Sequence, residues 1–538
     1  MSARLITLLH NRLDKWRLCL LVFAIAYGYV LTINLSYMSM EWDEAAHFTG
    51  GLLLSRGQVG QWVWTNSFYP PAFDVVTSIF FFFGGVSVFA ARFVSVTFSV
   101  ISLLVIYEIA NKMYNAKTAL LATALFSVMP GIIWLSRMAM IETMLIFIFS
   151  LSMFFFFNWL TAGNQRDRII SFVALAIGVA VKYQMIVVVP IIMLVCMYFW
   201  KRDYLRAEVK KYLQYPGISI ILAVVAAMVV VVYALYSSGF MSTLLYAIQV
   251  GTADKAMYSV RYPLPVFYFI EMTWSNRFMH PVSLLLYLVA LAGIGLFCYR
   301  RKFEDKFLLL WFAVVFMVFT LIPNREWRYV TIVFPVLAIA TSSLLLSSFG
   351  KIQKFARTAK SQFARKWGTK LAAAGLIAFT VVGVSYSCVD AYTWIRGDQI
   401  QVPMEQAAEF AAQNLAQNQT LMVACPLNRF NKNMLWFYLN AMTSGVNQNQ
   451  TLQYPQLAVD AYTPTLKMTE FVSLCEENRV RDVLLYENGA NRYFNSTLTA
   501  QDVFDLLIET SRFTLQITFG TEPHRVFVFA FGQSGQRG

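Results

Sequence analysis

A group of acidic residues follows the first long apolar stretch of the sequence. Glu41, Asp43, Glu44 and His47 fall within seven positions of a chain that has few charged residues. A carboxylate beside an apolar region can act as a general base, because burial raises its pKa toward neutrality. The same spacing also suits a solvated loop or a helix cap at Asp43. The pattern alone leaves both interpretations open.

Other ionisable and aromatic residues stand at the ends of later apolar stretches. Tyr69 precedes a pair of prolines, which fix a rigid turn. Arg137 and Glu142 lie at the end of one stretch, and Lys182 ends another. Residues of this kind either bind ligands or form salt bridges between helices. For Lys182, the partner could be an anionic ligand or a carboxylate such as Glu142.

Two arginines flank a glutamate late in the apolar part of the chain. Arg325, Glu326 and Arg328 belong to the segment Asn-Arg-Glu-Trp-Arg-Tyr. Two guanidinium groups could bind a phosphate through paired hydrogen bonds. They could equally form ion pairs with Glu326. The segment therefore predicts either a phosphate site or a salt-bridged loop.

The composition indicates an integral membrane protein. Of the 538 residues, 58% are hydrophobic and 13% are charged, whereas soluble domains have about 25% charged residues. This composition excludes a soluble globular protein, a disordered chain and a disulfide-framework domain. Cys19, Cys196 and Cys298 lie in apolar stretches and are predicted to be inert thiols, whereas Cys425 and Cys475 lie in a polar region and could pair.

The net charge of +14 is distributed unevenly along the chain. From Asp390 to the C-terminus, 10 Lys and Arg residues stand against 14 Asp and Glu residues, a net charge of −4. The preceding part carries 33 basic and 15 acidic residues, a net charge of +18. These basic residues cluster between apolar stretches, which is typical of cytoplasmic loops that obey the positive-inside rule. We therefore expect the lipid bilayer as a partner and no nucleic acid.

The basic clusters and the apolar lengths together predict about eleven transmembrane helices, with the N-terminus in the cytoplasm. The apolar run from Val75 to Ala91 is interpreted as a re-entrant or interfacial helix, because one more crossing would turn later basic clusters outward. The first span is interpreted as uncleaved rather than as a signal peptide. The predicted spans are 18–36, 92–110, 118–135, 142–160, 169–182, 184–200, 216–236, 279–298, 307–322, 330–347 and 371–389.

This topology predicts a transmembrane catalytic domain at residues 1–389, with a first outer loop at 37–91, and a soluble extracytoplasmic domain at 390–538. In the second domain helix and strand patterns alternate, which is typical of a small α/β fold. The predicted elements are helices at 403–415, 466–477 and 500–510, strands at 421–424 and 483–486, and a hairpin of 513–519 with 526–531.

The candidate residues of all the motifs above fall on the outer face in this topology. Carboxylates able to remove a proton and cations able to stabilise an anionic leaving group then lie together beside the bilayer. This combination indicates the transfer of a group from a phosphate-linked lipid donor.

The motifs, taken in order across residues 37–347, resemble those of the GT-C membrane glycosyltransferases. The branch they resemble contains the protein O-mannosyltransferases and the lipid A aminoarabinose transferase. Those enzymes have an acidic pair after the first span, a proline turn closing the first outer loop and a late Arg-Tyr pair. The matching residues are Asp43-Glu44, Pro70-Pro71-Ala72, Arg92, Pro130 with Arg137 and Glu142, and Arg328-Tyr329.

The resemblance implies a GT-C glycosyltransferase with a polyprenyl-phosphate sugar donor, inversion at the anomeric carbon, and a protein, lipid or glycan acceptor outside the cytoplasm. It implies that Asp43 is the catalytic base and that Glu44 assists it. The donor phosphate would be bound by Arg328, Arg325 and Lys182. The candidates for binding the acceptor or the sugar are His47, Tyr69, Arg137 and Glu142.

Two further expectations concern cofactors and an alternative function. Asp43, Glu44 and Glu142 could hold a divalent cation such as Mg²⁺ or Mn²⁺, as in the related oligosaccharyltransferases, although we expect no essential metal. The alternative function is a transporter or flippase of a lipid-linked anion. It is disfavoured because transporters usually contain internal repeats and broken helices, and the sequence has neither. In a prokaryote the protein would lie in the cytoplasmic membrane, with its active site facing outward.

Overall fold

Helices make up most of the computed structural model of the protein. It divides into a first unit (Met1–Ile33, Gly60–Phe73 and Arg92–Arg396) and a second unit (Asn34–Val59, Asp74–Ala91 and Gly397–Gly538). The second unit thus contains most of the predicted first outer loop together with the C-terminal residues. The structure describes residues 14–66, 69–198, 249, 266–274, 280–323, 325–358, 362–397, 399–414, 419–424, 429–442, 456–458, 467–489 and 499–532.

The helices and strands are numbered in chain order. The helices are α1 (Lys15–Thr32), α2 (Trp42–Ser55), α3 (Val59–Asn66), α4 (Ala72–Gly84), α5 (Val88–Met113), α6 (Ala116–Ser127), α7 (Pro130–Ser136), α8 (Ile141–Ala162), α9 (Gln165–Val181), α10 (Val188–Tyr198), α11 (Phe267–Glu271), α12 (Leu284–Arg300), α13 (Phe303–Leu321), α14 (Phe334–Thr358), α15 (Gln362–Gly397), α16 (Met404–Asn414), α17 (Lys432–Met442), α18 (Met468–Glu477) and α19 (Ala500–Glu509). Two 3-10 helices, Tyr183–Val187 and Trp327–Val333, precede α10 and α14. The strands are β1 (Thr420–Ala424), β2 (Gln456–Ala458), β3 (Val480–Tyr486), β4 (Phe513–Phe519) and β5 (Val526–Phe531).

Five helices among the described residues are long and apolar enough to cross a membrane. They are α1, α5, α8, the segment Trp327–Thr358 and the segment Trp367–Gly397. A sixth span results if α6 and α7, which are bent by 68° relative to each other, form one broken crossing. The predicted span at 216–236 lies outside the described residues. The chain therefore has the helices of an integral membrane protein, while the number eleven stays a prediction.

Helix α4 is the part of the chain predicted to lie at the interface. It has 13 residues and is therefore about 20 Å long, whereas a bilayer core is about 30 Å thick. It follows the proline pair and is followed by Gly85 with φ +77°, a conformation that favours glycine. Its length agrees with a helix that does not cross the membrane.

Contacts within the first unit bring together helix ends that the predicted topology places on the same side of the membrane. Arg17 at the start of α1 donates to Glu108 near the end of α5, at 3.0 and 3.2 Å. Asp305 at the start of α13 accepts hydrogen bonds from Tyr114, which follows α5, and from Arg300 at the end of α12, both at 2.7 Å. The Arg17 contact makes α1 and α5 antiparallel, as expected if α4 between them does not cross. The assignment of this side to the cytoplasm stays a prediction.

The C-terminal residues of the second unit form a five-stranded sheet in the order β2-β1-β3-β5-β4. Strands β2, β1 and β3 run parallel to one another. Strand β5 is antiparallel to both of its neighbours, β3 and β4. Residues of α18 and α19 cover one face, where Phe471 and Val503 pack with Met422, Val483 and Phe529 in a buried cluster. Each helix and strand predicted after residue 400 coincides with an observed element. Alternating patterns this regular arise because every element has one buried face.

The question whether Cys425 pairs with Cys475 involves a residue outside the described ranges. Cys475 lies on α18 and is fully buried in the cluster just described. Its thiol is 3.7 Å from the sulfur of Met422. Cys475 therefore packs as a small apolar side chain.

Strand β3 carries a buried acid. Asp482 is 0% exposed, and neither of its carboxylate oxygens has a hydrogen-bond partner among the described residues. The side chain of Arg481 approaches it at 3.8 Å but is itself about one third exposed. Burial raises the pKa of Asp482 to about 6, because a carboxylate loses hydration when it enters the protein.

Replacing this acid tests the cost of burying it. The folded protein binds a proton at Asp482 near pH 6, whereas the unfolded chain does so near pH 4. The contribution of Asp482 to the free energy of unfolding should therefore rise as the pH falls through this interval. Asp482→Asn should raise the free energy of unfolding at pH 7.5 by on the order of 2 kcal/mol and remove this pH dependence. Thermal unfolding in detergent between pH 7.5 and 4.5 measures both, with the exposed Asp505→Asn as control; an unchanged pH profile contradicts the prediction.

Candidate active site

The acidic segment of the second unit begins helix α2. Glu41 is the residue before the first turn, and Glu44 accepts its backbone N–H at 3.0 Å in a capping box. Glu44 is 0% exposed, whereas Asp43 is half-buried. Acidic residues here are stabilised by the positive end of the helix dipole. The cap is thus formed by Glu41 and Glu44, and Asp43 is the acid that does not form it.

His47 lies one turn after Asp43 and has a partner that the sequence analysis missed. Its Nδ1 is 2.8 Å from the carboxylate of Asp74 on α4, and both side chains are buried. A Cβ on Gly51 would lie 2.5 Å from the side chain of Thr77, so glycine is needed for this close approach of α2 and α4. The feature of the sequence that could have identified Asp74 is its position as an acid at the start of an otherwise apolar helix.

A group of paired charges forms in the first unit at the ends of α8 and α9. Lys182, which ends α9, donates to Glu142 in the first turn of α8 at 2.8 Å. Glu142 is 3% exposed, and its second carboxylate oxygen has no hydrogen-bond partner among the described residues. The ammonium of Lys182 also lies 5.6 Å from the ring of Tyr329. Of the two partners considered for Lys182, the structure shows the carboxylate.

Arg328 completes this group from the 3-10 helix before α14. It donates from Nε and Nη2 to the two carboxylate oxygens of Glu326, at 2.7 and 2.9 Å. Its Nη1 lies 3.9 Å from the sulfur of Met140, the residue before α8. Arg328 is 9% exposed. The bidentate ion pair orients the guanidinium in a region that also holds Glu142 and Lys182.

The remaining predicted residues occupy different environments. Arg325 is buried, donates from Nε to the carbonyl of Thr320 at 2.9 Å, and lies 5.8 Å from the ring of Phe267. Arg137 donates to the carbonyl oxygens of Leu31 and Ile33, both at 2.8 Å. Those carbonyls end α1, so Arg137 caps that helix.

Tyr69 and the predicted metal ligands complete the set of candidates. Tyr69 is half-buried in the turn that leads to α4. No group of three or more His, Cys, Asp and Glu residues in the described part of the chain is arranged to hold a metal ion. Asp43 and Glu44 belong to the second unit, and Glu142 belongs to the first. Tyr69 and the metal ligands therefore keep their status as predictions.

Comparison with known proteins gives one family match and several similar structures. The family described as dolichyl-phosphate-mannose-protein mannosyltransferase matches residues 69–231. This range includes Tyr69, Arg137, Glu142 and Lys182 but is less than half of the chain. No functionally curated protein matches the chain by sequence.

The structural matches extend over nearly the whole chain. ArnT from Cupriavidus metallidurans in the apo state has a TM-score of 0.63 and 13% identity, over 96% of this chain and 97% of that one. The same protein bound to undecaprenyl phosphate has a TM-score of 0.58 and 14% identity, over 96% and 98%. The oligosaccharyltransferase AglB from Archaeoglobus fulgidus, in complex with an inhibitory peptide and a dolichol-phosphate, has a TM-score of 0.58 and 12% identity, over 96% and 74%.

The chain resembles the GT-C glycosyltransferases. Its fold is that of ArnT and AglB, and the resemblance to the branch of the protein O-mannosyltransferases and ArnT is confirmed. The identities of 12–14% show the fold alone. The roles of individual residues must therefore be argued from their chemistry.

The Lys182–Glu142 pair can be tested by removing one or both charges. Lys182→Met should lower the free energy of unfolding by about 3 kcal/mol, because Glu142 would remain buried without its nearest counter-charge. The double variant Lys182→Met/Glu142→Gln should recover most of this loss. Thermal unfolding in detergent measures both. A single variant as stable as the wild type, or a double variant no more stable than the single one, contradicts the pairing.

Proposed function

We propose that this protein is an integral membrane glycosyltransferase that transfers a sugar from a polyprenyl-phosphate donor to an extracytoplasmic acceptor, with inversion at the anomeric carbon. The observation that carries the proposal is the presence of two cations, Lys182 and Arg328, beside the buried Glu142, in a fold shared with ArnT bound to undecaprenyl phosphate. A polyprenyl phosphate places an anion at the end of a long apolar chain. Two buried cations near the ends of transmembrane helices suit such an anion.

Arg328 is the best candidate for binding the donor phosphate. Glu326 holds two of its nitrogens and therefore fixes the plane of the guanidinium. The third nitrogen, Nη1, lies 3.9 Å from the sulfur of Met140. Lys182 adds a second positive charge, and Arg325 is a third candidate. As the glycosidic bond breaks, the leaving phosphate gains negative charge, and cations already in place stabilise it without reorganisation.

Asp43 is the proposed catalytic base. Glu44 forms the cap of α2 and would have to break that hydrogen bond to take a proton from a substrate. Asp43 lies in the same turn, is half-buried and does not form the cap. It would remove the proton of an acceptor hydroxyl or amide as that atom attacks the anomeric carbon. A single displacement of this kind inverts the configuration of that carbon.

His47, Tyr69, Arg137 and Glu142 keep their proposed roles in binding the acceptor or the sugar. Glu142 has the strongest support, because its second oxygen is buried and lacks a partner among the described residues. A substrate hydroxyl or ammonium group would satisfy that oxygen. Arg137 has the weakest support, because it already caps α1.

The proposed topology keeps eleven spans, a cytoplasmic N-terminus and an extracytoplasmic α/β domain after residue 390. It is supported by the antiparallel arrangement of α1 and α5 and by the basic clusters. In a prokaryote the enzyme would lie in the cytoplasmic membrane. We propose that no metal is essential, since cations of the protein itself can stabilise the leaving phosphate. Transfer that persists in EDTA would support this, and transfer restored only by Mg²⁺ or Mn²⁺ would contradict it.

A transporter or flippase of a lipid-linked anion is the alternative function. It would also need buried cations, but it gives no role to Asp43. The two functions differ in their product, since a flippase moves the lipid-linked sugar without breaking its bond to phosphate. Formation of a glycosylated acceptor by the purified protein would favour the transferase.

The first prediction of the transferase proposal concerns its base. Asp43→Asn should lower transfer by at least about 1,000-fold, because no base remains to take the proton of the acceptor substrate. The variant should still fold and bind undecaprenyl phosphate. Membranes containing the protein are incubated with radiolabelled hexosyl and pentosyl polyprenyl phosphates, and label in protein, lipid and glycan fractions is counted. The surface variant Asp505→Asn is the control. Retained turnover in Asp43→Asn would refute the assignment of the base.

The second prediction concerns the donor phosphate. Arg328→Gln should weaken the binding of undecaprenyl phosphate about 10- to 100-fold, and Arg328→Lys should weaken it less. Native mass spectrometry in detergent gives the affinities. Since Glu326 would lose its counter-charge, Arg328→Gln/Glu326→Gln is measured as a variant without a buried unpaired acid. Arg168→Gln, at the start of α9, is the control. Equal affinity in wild type and both Arg328→Gln variants would exclude Arg328 as the phosphate ligand.

A further inference from the structure

The C-terminal part of the chain contains a buried arginine that the proposed reaction has not yet used. Arg429 lies between β1 and α17 and is 6% exposed. Buried arginines are rare, because their desolvation must be offset by hydrogen bonds or an ion pair. The partners of Arg429 therefore indicate why it is buried.

Arg429 contacts the segment that leads into α2. Its Nη1 donates to the carbonyl of Ser39 at 2.9 Å. Its Nη2 is 3.8 Å from the carboxylate of Glu41, which is 9% exposed. Glu41 is the residue before the first turn of α2, two positions before Asp43. One guanidinium thus joins the C-terminal residues to the residue from which the acidic helix starts.

Arg429 itself is held at the carboxyl end of the parallel strands. The next residue, Phe430, is fully buried, and its ring lies 5.5 Å from that of Tyr486, the last residue of β3. In sheets with parallel strands this edge is where ligands and reactive side chains usually collect. Here a protein segment carrying the proposed catalytic acid is bound at that edge.

Other contacts within the second unit fix the rest of the acidic segment. Ser39 donates its N–H to the carbonyl of Ile400 at 3.1 Å, and its hydroxyl accepts the N–H of Val402 at 2.7 Å. Phe48 on α2 packs against Phe437 on α17, with ring centres 4.9 Å apart. At the other end of α2, Arg56 donates to the carbonyl of Asn440. Helix α2 is therefore attached along its length, and Arg429 provides the charged contact at its N-terminal end.

We propose that Arg429 is a positioning residue for the transfer reaction, which holds Glu41 and Ser39 and so fixes the turn of α2 that carries Asp43. This inference rests on the proposed function, since it takes Asp43 as the base. Arg429 acts through the backbone and Glu41 and does not touch the reacting atoms. Because a base must lie within hydrogen-bond reach of the proton it removes, a shift of about 1 Å in this turn would slow the reaction.

The test compares Arg429→Gln and Arg429→Lys in the full-length protein with the labelled-donor assay. Arg429→Gln should lower kcat about 10- to 100-fold and leave the KM for the lipid donor and the affinity for undecaprenyl phosphate unchanged. Arg429→Lys should recover part of kcat, because it keeps the charge near Glu41. Arg512→Gln, which removes an exposed arginine paired with Glu476 on the surface of the same unit, should have wild-type kinetics.

A double-mutant comparison separates positioning from a general loss of stability. In a Glu41→Gln background, Arg429→Gln should lower kcat by less than about threefold, because the interaction it removes is already lost. Unchanged kcat in Arg429→Gln, a change in the donor KM alone, or fully additive effects with Glu41→Gln would overturn the proposal. If Arg429→Gln does not fold, Arg429→Lys is combined with Glu41→Gln and judged by the same criteria. If Asp43→Asn is inactive while Arg429→Gln is fully active, this inference fails and the proposed function stands; if Asp43→Asn is active, the proposed base itself fails.

Discussion

The cost of burying charge is the constraint on which the candidate site depends. Glu142 and Arg328 are buried and Lys182 is nearly so, and each has an opposite charge within hydrogen-bond distance. In a region of low dielectric constant an unpaired charge would cost several kcal/mol. The Lys182–Glu142 pair also joins the end of α9 to the start of α8, so the need for compensation brings these two helix ends together. The ion pairs that hold the candidate residues in place thus also hold the helices together.

The sequence predicted the location of charged residues better than it predicted their partners. Long apolar stretches fix α1, α5 and α8, because about 20 such residues are stable across a bilayer. The span count was harder to predict, because α12 is short and α13 begins with charged residues. Asp43 and Glu44 were recognised by their position after the first span. That Glu44 and Glu41 form the cap follows from backbone geometry, which residue types alone leave open.

Partners distant in sequence could not be inferred from any local pattern. Asp74 lies 27 residues from His47, and Arg429 lies 390 residues from Ser39. Arg137 and Glu142 are close in sequence, yet Arg137 caps α1 and Glu142 accepts a hydrogen bond from Lys182. The spacing of apolar residues along a helix indicates which face is buried, but it does not indicate which segment covers that face. Pairing therefore has to be taken from the three-dimensional structure.

The acidic segment shows that neighbouring acids can differ in their structural role. If Asp43 formed the cap of α2, its carboxylate would be occupied by backbone N–H groups, and proton transfer would disturb the helix. Glu41 and Glu44 take that role instead. Glu41 is in turn close to Arg429, so the cap has its own electrostatic support. Three acids within four residues thus hold different positions: Glu41 and Glu44 form the cap of α2, and Asp43 does not.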